Sequence, residues 1–152
     1  MNSQSFFSPQ RLLATLRYAL LVGACGSGVV WGQAEQRFAL VIGNAQYGNK
    51  TANLANPIND ARLMASVLTD AGFKVNKLEN ARAVDMQRAI AAFVQQLKTS
   101  QSVGVFYYAG QAVGVQGEHY LLPSDAAIDS FTGVQKTGIK LRAVSAQVQE
   151  AK

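Results

Sequence analysis

The side chains able to do chemistry here are few, and their identities narrow the field at once. The 152 residues contain one cysteine, Cys25, and one histidine, His119. No disulfide forms within such a chain, and no Cys/His zinc site can be assembled. Nothing after residue 25 carries a thiol. A third position stands out for its setting rather than its reactivity. Gln111 follows Val-Gly-Val-Phe-Tyr-Tyr-Ala, the apolar run from Val103 to Ala109, and the small-residue turn Ala109-Gly110. Such a run suits a strand covered on both faces. In open α/β sheets ligands gather beyond the carboxyl ends of the strands, so Gln111 stands where a functional side chain projects. Glutamine can hydrogen-bond but does not titrate, so it offers recognition and no proton transfer near neutral pH.

The elements that would position these residues follow from hydropathy. Residues 37–42, Arg-Phe-Ala-Leu-Val-Ile, read as a buried first strand closed by Gly43 and Asn44. The turn-rich stretch 45–56, with three Asn and Tyr47, reads as a long loop. Asn56 suits a helix N-cap and Pro57 the first helical position. Ala61, Met64, Leu68 and Ala71 then form an apolar stripe, with Ile58, Leu63 and Val67 expected to widen it, and Gly72 as the stop. Residues 73–78 alternate as a half-buried strand nearer a sheet edge. A second helix is expected over 84–98, with Met86, Ile90, Phe93 and Leu97 on one face. Strand, helix, strand, helix, strand with short links predicts an α/β fold, doubly wound and mostly parallel. After Gln111 a hairpin is expected around Gly117-Glu118, ended by Pro123. Residues 124–138 read as turns, and 141–151 as a helix with Val144 and Val148 on one side.

Composition excludes some partners. From Glu35 onward there are 12 Lys and Arg against 9 Asp and Glu, a net of +3. These charges are scattered, with no basic block and no aromatics interleaved with cations, so nucleic-acid binding has no support. The glycines at 43 and 48 make no dinucleotide fingerprint. No cofactor is implied.

The first 34 residues are different in kind. A polar and basic start to Arg17 precedes about 14 apolar residues, 18–31, short of the roughly 20 that span a bilayer. Gly32-Gln33-Ala34 resembles a small-x-small cleavage site, so 1–34 reads as a secretory signal peptide and 35–152 as the folded domain. Leu21-Val22-Gly23-Ala24-Cys25 also resembles a lipoprotein box, with Cys25 as a lipidated first residue; an uncleaved anchor is a third reading. Export to the periplasm or outside the cell is the expectation, with membrane contact only through the leader or a lipid on Cys25.

Taken together, several segments resemble a known family. Arg37-Phe-Ala-Leu-Val-Ile-Gly-Asn-Ala-Gln-Tyr47, Leu54-Ala-Asn-Pro-Ile-Asn-Asp-Ala61, Gly72-Phe73, Val105-Phe-Tyr-Tyr-Ala-Gly110 and His119-Tyr-Leu-Leu-Pro-Ser-Asp125 are similar, in order and spacing, to bacterial caspase-like peptidases related to metacaspases. The resemblance implies a caspase-type α/β fold, helices on both sheet faces, and cysteine endopeptidase chemistry on peptide or protein substrates by a Cys-His dyad. In that chemistry the thiolate attacks the scissile carbonyl and the imidazole protonates the leaving amine. The family's His follows the third strand in Tyr-Ala-Gly-His-Gly; here that position is Gln111, and the next Gly is Ala112. The Ala112 N–H could still serve an oxyanion hole. The family's nucleophile ends a fourth strand, and this chain reaches Lys152 where that strand should begin, so the domain is expected to be incomplete. For Asp60 two readings stand: part of an acidic pocket for a basic P1 side chain, or a carboxylate favouring the first turn of its helix. His119 falls on the hairpin, either as a substitute acid–base group or as an ordinary hairpin residue. With the fourth strand missing, Val103 to Ala109, about 23 Å of strand, would carry an unpaired edge open to another chain or a second copy. The functional expectation is a caspase-like endopeptidase domain that is catalytically inactive. Its alternatives are an exported pseudopeptidase scaffold that binds peptides or proteins, and a small α/β module of other ancestry.

Overall fold

The computed structural model describes residues 35–48, 53–98 and 102–151. Residues 1–34, expected above to be a signal peptide, lie outside the described residues, and Cys25 with them. Three parallel strands form the first sheet: β1 (Gln36–Gly43), β2 (Lys74–Glu79) and β3 (Ser102–Ala109), in the order β2-β1-β3. In register, Phe38 stands opposite Lys74 and Gly104, and Gly43 opposite Glu79 and Ala109. The central strand is buried from Phe38 to Gly43 because both its faces are covered. Ala39 and Val41 pack under Ala61 and Leu68 of α1 (Pro57–Asp70). Phe38, Leu40 and Ile42 pack under Met86, Ile90, Phe93 and Leu97 of α2 (Ala83–Lys98), the four residues the sequence places on one face. The α/β reading with helices on both sheet faces is thereby met.

A second sheet, antiparallel, stands beyond the carboxyl end of β3. It comprises β4 (Ala112–Val115), β5 (Glu118–Leu121) and the two-residue β6 (Ile139–Lys140), in the order β4-β5-β6. Two helices complete the described chain, α3 (Phe131–Thr137) and α4 (Leu141–Glu150). Val144 of α4 joins the α2 side of the core together with Leu121 and Ile139. Among the described residues no helix is long and apolar enough to cross a membrane.

Four local expectations need correction. Leu63 and Val67 do not widen the buried stripe of α1: they are 67% and 54% exposed, because the helix meets the sheet along the narrower Pro57, Ala61, Leu68 line. Asn56 precedes that helix in a helical backbone conformation, with no side-chain cap bond. The hairpin turn sits at Gln116-Gly117, one residue earlier than expected, with φ of +52° and +80°. Two consecutive positive φ values are what the right-handed strand twist asks of a two-residue hairpin. Lastly, 124–138 is not all turn, since it contains α3. Gly133 hides that helix from the sequence, yet it is required there: a Cβ would stand 2.4 Å from the Ala127 carbonyl oxygen. The strand β3 is half-buried along its whole length, and among the described residues only β1 pairs with it, so its other edge is unpaired there as expected.

Candidate functional site

The carboxyl ends of β1 and β3 lie side by side, joined by a bond from the Asn44 N–H to the Ala109 carbonyl at 2.8 Å. Asn44 is fully buried, which for a side-chain amide is tolerable only if its donors and acceptor are met. They are. Its Nδ2 donates to the carbonyls of Leu122 (3.0 Å) and Ala81 (3.3 Å), and its Oδ1 accepts the Ala81 N–H (2.8 Å). One side chain thus ties β1 to the start of α2 and to the segment leaving β5.

Two tyrosines extend this network to Gln111. The Tyr47 hydroxyl donates to the Asn44 carbonyl (3.0 Å) and accepts the Gln111 N–H (2.8 Å). The Tyr108 hydroxyl has two acceptors for its one hydrogen, the carbonyls of Leu122 (2.7 Å) and Gln111 (3.0 Å). Burial first, and then the neighbouring Tyr47 hydroxyl, push the Tyr108 phenol well above its usual range, so it stays a donor. Gly110 makes the approach feasible, because a Cβ there would stand 2.5 Å from the Tyr108 hydroxyl oxygen and 2.9 Å from that of Tyr47. The Leu122 N–H donates back to the Gln111 carbonyl at 3.0 Å. The backbone of Gln111 is therefore held on both sides, and its N–H is already occupied.

The next N–H points elsewhere. Ala112 stands opposite Leu121, and the bond from Leu122 to Gln111 makes that a non-hydrogen-bonded pair. In an antiparallel ladder such a residue directs its N–H and C=O away from the partner strand. Ala112, exposed on the outer strand of its sheet, therefore aims its N–H outward. Gln111 itself lines a cleft of about 480 Å³ together with Val113, Leu122, Ile128, Phe131 and Val134.

The remaining candidates lie apart from that cleft. His119 is exposed on β5 opposite Gly114, in a separate depression with Leu141, Arg142 and Ser145 of α4. Adjacent Tyr120 packs instead with Val113, Val115 and Leu122, on the side of the Gln111 cleft. The alternation of a strand thus turns His119 away from Gln111. Asp60 is exposed in the first turn of α1. That turn abuts the end of β1: a Cβ on Gly43 would stand 2.6 Å from the Pro57 carbonyl oxygen. Among the described residues no three His, Cys, Asp or Glu side chains gather as metal ligands would.

Sequence reasoning missed Asn44 and Tyr47 as the fasteners of the rim, and it missed Asp125. The Asp125 carboxylate accepts the Ala83 N–H (2.8 Å) at the start of α2 and meets Arg82 at 3.2 Å. The signal available for Asn44 was a polar residue directly after a continuous apolar strand.

A family model described as the caspase domain matches residues 36–140. No curated protein matches the chain.

Proposed function

The chain belongs to the caspase domain family, a family of peptidase domains acting on proteins or peptides, and from that premise we propose that it holds extended peptide segments at the carboxyl rim of its parallel sheet without cutting them. One observation carries this reading. The position after β3, where the resemblance places the imidazole of a Cys-His dyad, is Gln111, its backbone fixed by Tyr47, Tyr108 and Leu122. An amide there can donate and accept hydrogen bonds, but it can neither hold a thiolate nor protonate a leaving amine. By comparison with knockouts of catalytic units in other hydrolases, losing one member of such a unit lowers turnover on the order of a millionfold.

What the site retains is recognition. The outward Ala112 N–H is the group an oxyanion hole would use, and it serves equally to receive a peptide carbonyl. Asp60, in the first turn of α1, supplies a carboxylate to a basic side chain under the acidic-pocket reading. Its competing role beside the α1 amino end needs no ligand. The metacaspase-like character of the segments supports the bacterial type of this family. The basic and then apolar leader supports export, with Cys25 as a lipid attachment point in the second form of that reading.

The test is direct. The purified chain is incubated with fluorogenic peptides bearing Arg or Lys before the reporter, beside a variant carrying Gln111→His and an appended thiol-bearing strand. The unmodified chain is expected to release no fluorophore. Release that survives inhibitors of contaminating proteases would overturn the reading.

A further inference from the structure

We propose that the peptide is held as an added strand on the outer edge of β4, with one large apolar side chain in the cleft beside α3 and a cationic residue two positions away facing Asp129. This deepens the reading above and rests on it. Three features converge. First, β4 is the outer strand of its sheet, and Ala112 and Gly114, both exposed, occupy alternate positions along it. Because Ala112–Leu121 is a non-hydrogen-bonded pair, alternation gives Gly114–His119 the same character, so both residues turn N–H and C=O away from β5. An extended peptide is the ligand that satisfies such a row, as in recognition by strand addition.

Second, the cleft lies on the side of β4 to which Val113 points. Its base is Leu122 and Val134, both buried, with half-buried Val113 and Ile128 around them. Its volume of about 480 Å³ lies within the usual range for ligand pockets. Phe131 stands at its mouth 73% exposed, the most exposed large hydrophobic side chain described. An aromatic left in water at the lip of an apolar cleft gains most from an apolar occupant.

Third, the polar side chains at this lip are Gln111, Asp129 and Ser130, and the Ser130 hydroxyl is already used, accepting the Gly133 N–H at 3.0 Å. Asp129 is the single charge in the lining and is exposed. Side chains two apart in a strand share a face, so a peptide that buries an apolar residue beside Val113 presents its neighbours at two residues' distance to that carboxylate. The preferred ligand class is thus an extended segment with an aromatic or branched aliphatic residue and Lys or Arg two positions away.

The probe is a fluorescein-labelled heptapeptide, Thr-Lys-Thr-Phe-Thr-Lys-Thr, titrated with the full chain by anisotropy at low salt. Replacing its Phe by Ser, or both Lys by Glu, is expected to weaken binding at least tenfold. N-methylation of one alternate set of its backbone nitrogens is expected to weaken binding tenfold or more, and methylation of the other set less than threefold. In the protein, Phe131→Ser and Asp129→Lys alter exposed side chains, so the melting curve should hold while affinity falls at least fivefold. If the probe binds but responds to Asp60→Asn and to neither of these two, peptide recognition stands and this placement is overturned. Equal sensitivity to both methylation sets also overturns it. Absence of saturable binding up to millimolar protein would remove the placement and the peptide-holding reading together.

Discussion

The carboxyl rim of the parallel sheet has an inner half and an outer half, built from the same kinds of group and used differently. On the inner half, Asn44, Tyr47 and Tyr108 lie together, and their hydrogen bonds end on the backbone of Asn44, Ala81, Gln111 and Leu122. On the outer half, from Gln111 to Phe131, backbone donors on β4 point outward and an aromatic side chain stands in solvent over an apolar cleft. A polar group whose bonds all close inside the fold is a fastener; one aimed outward is available to a ligand. Fold stability should therefore respond to changes in the inner half, and peptide affinity to changes in the outer half.

The largest effect is expected at Asn44. Asn44→Ala leaves the Ala81 N–H without its buried acceptor, at about 1–3 kcal/mol, and takes one of its two donors from the Leu122 carbonyl, which keeps Tyr108, at about 1 kcal/mol more. Unfolding in urea should show a destabilisation of about 3 kcal/mol or more. A change under about 1 kcal/mol would mean the inner half is not the fastener described here. Next comes Gly43→Ala. Its Cβ would meet the Pro57 carbonyl oxygen at 2.6 Å and the Ala61 Cβ at 2.7 Å, so α1 must shift, at a cost of about 1–3 kcal/mol by the same measurement.

Tyr47→Phe sharpens the comparison, because its hydroxyl is where the two halves touch. The Gln111 N–H loses its acceptor, which should lower stability by about 1–2 kcal/mol. It should also weaken peptide binding, since the strand that receives the peptide begins at the next residue. A stability loss with unchanged affinity would separate the halves more sharply than the structure suggests.

The strands of the parallel sheet offer a parallel contrast. β1 is paired on both sides, whereas β3 among the described residues is paired only by β1. Alternate β3 amides that face away from β1 are expected to exchange hydrogen at least tenfold faster than β1 amides. Strand pairing between copies at this edge is our second proposed association; at high micromolar concentration it should raise the protection of those same amides and the sedimentation coefficient together. Concentration-independent exchange and a sharp monomer would refute it.

The smallest effect belongs to Glu79, at the end of β2. Hydrogen bonds from Arg62 (2.7 and 2.9 Å) and then from Lys77 (2.7 Å) lower its carboxyl from 4.5 to about 2. A depressed carboxyl contributes stability that is whole above about pH 4.5 and is lost as pH falls toward 2. Glu79→Gln should therefore lower stability at pH 7 by less than about 1 kcal/mol, the scale of a surface ion pair. That difference should vanish below about pH 2.

Much of the fold could be read from residue patterns, for identifiable reasons. The face of α2 formed by Met86, Ile90, Phe93 and Leu97 is buried as a unit, so its periodicity is undiluted. The α1 stripe misled because Leu63 and Val67 are apolar yet exposed, and hydropathy alone does not say how wide a contact is. α3 was hidden by Gly133, a poor helix former demanded by the Ala127 carbonyl packed against it. β3 has the composition of an interior strand yet stands at an edge of the described sheet; that edge was expected from the family resemblance, because composition alone does not report which neighbour is present. At the site, Gln111 was legible because a continuous strand pointed to it. Asn44 and Tyr47 were not, since an Asn closing a strand and a Tyr in an Asn-containing loop both read as solvent-facing until the fold closes around them.

Holding without cutting is most directly tested by exposing the purified chain to a pool of Arg- and Lys-containing peptides. Retention on the immobilised protein and peptide integrity are then read by mass spectrometry in the same sample. The expected result is selective retention of a subset of peptides, all of them intact after overnight incubation. Fragments ending in Arg or Lys, produced by the wild-type chain and suppressed by a thiol-reactive inhibitor, would contradict it.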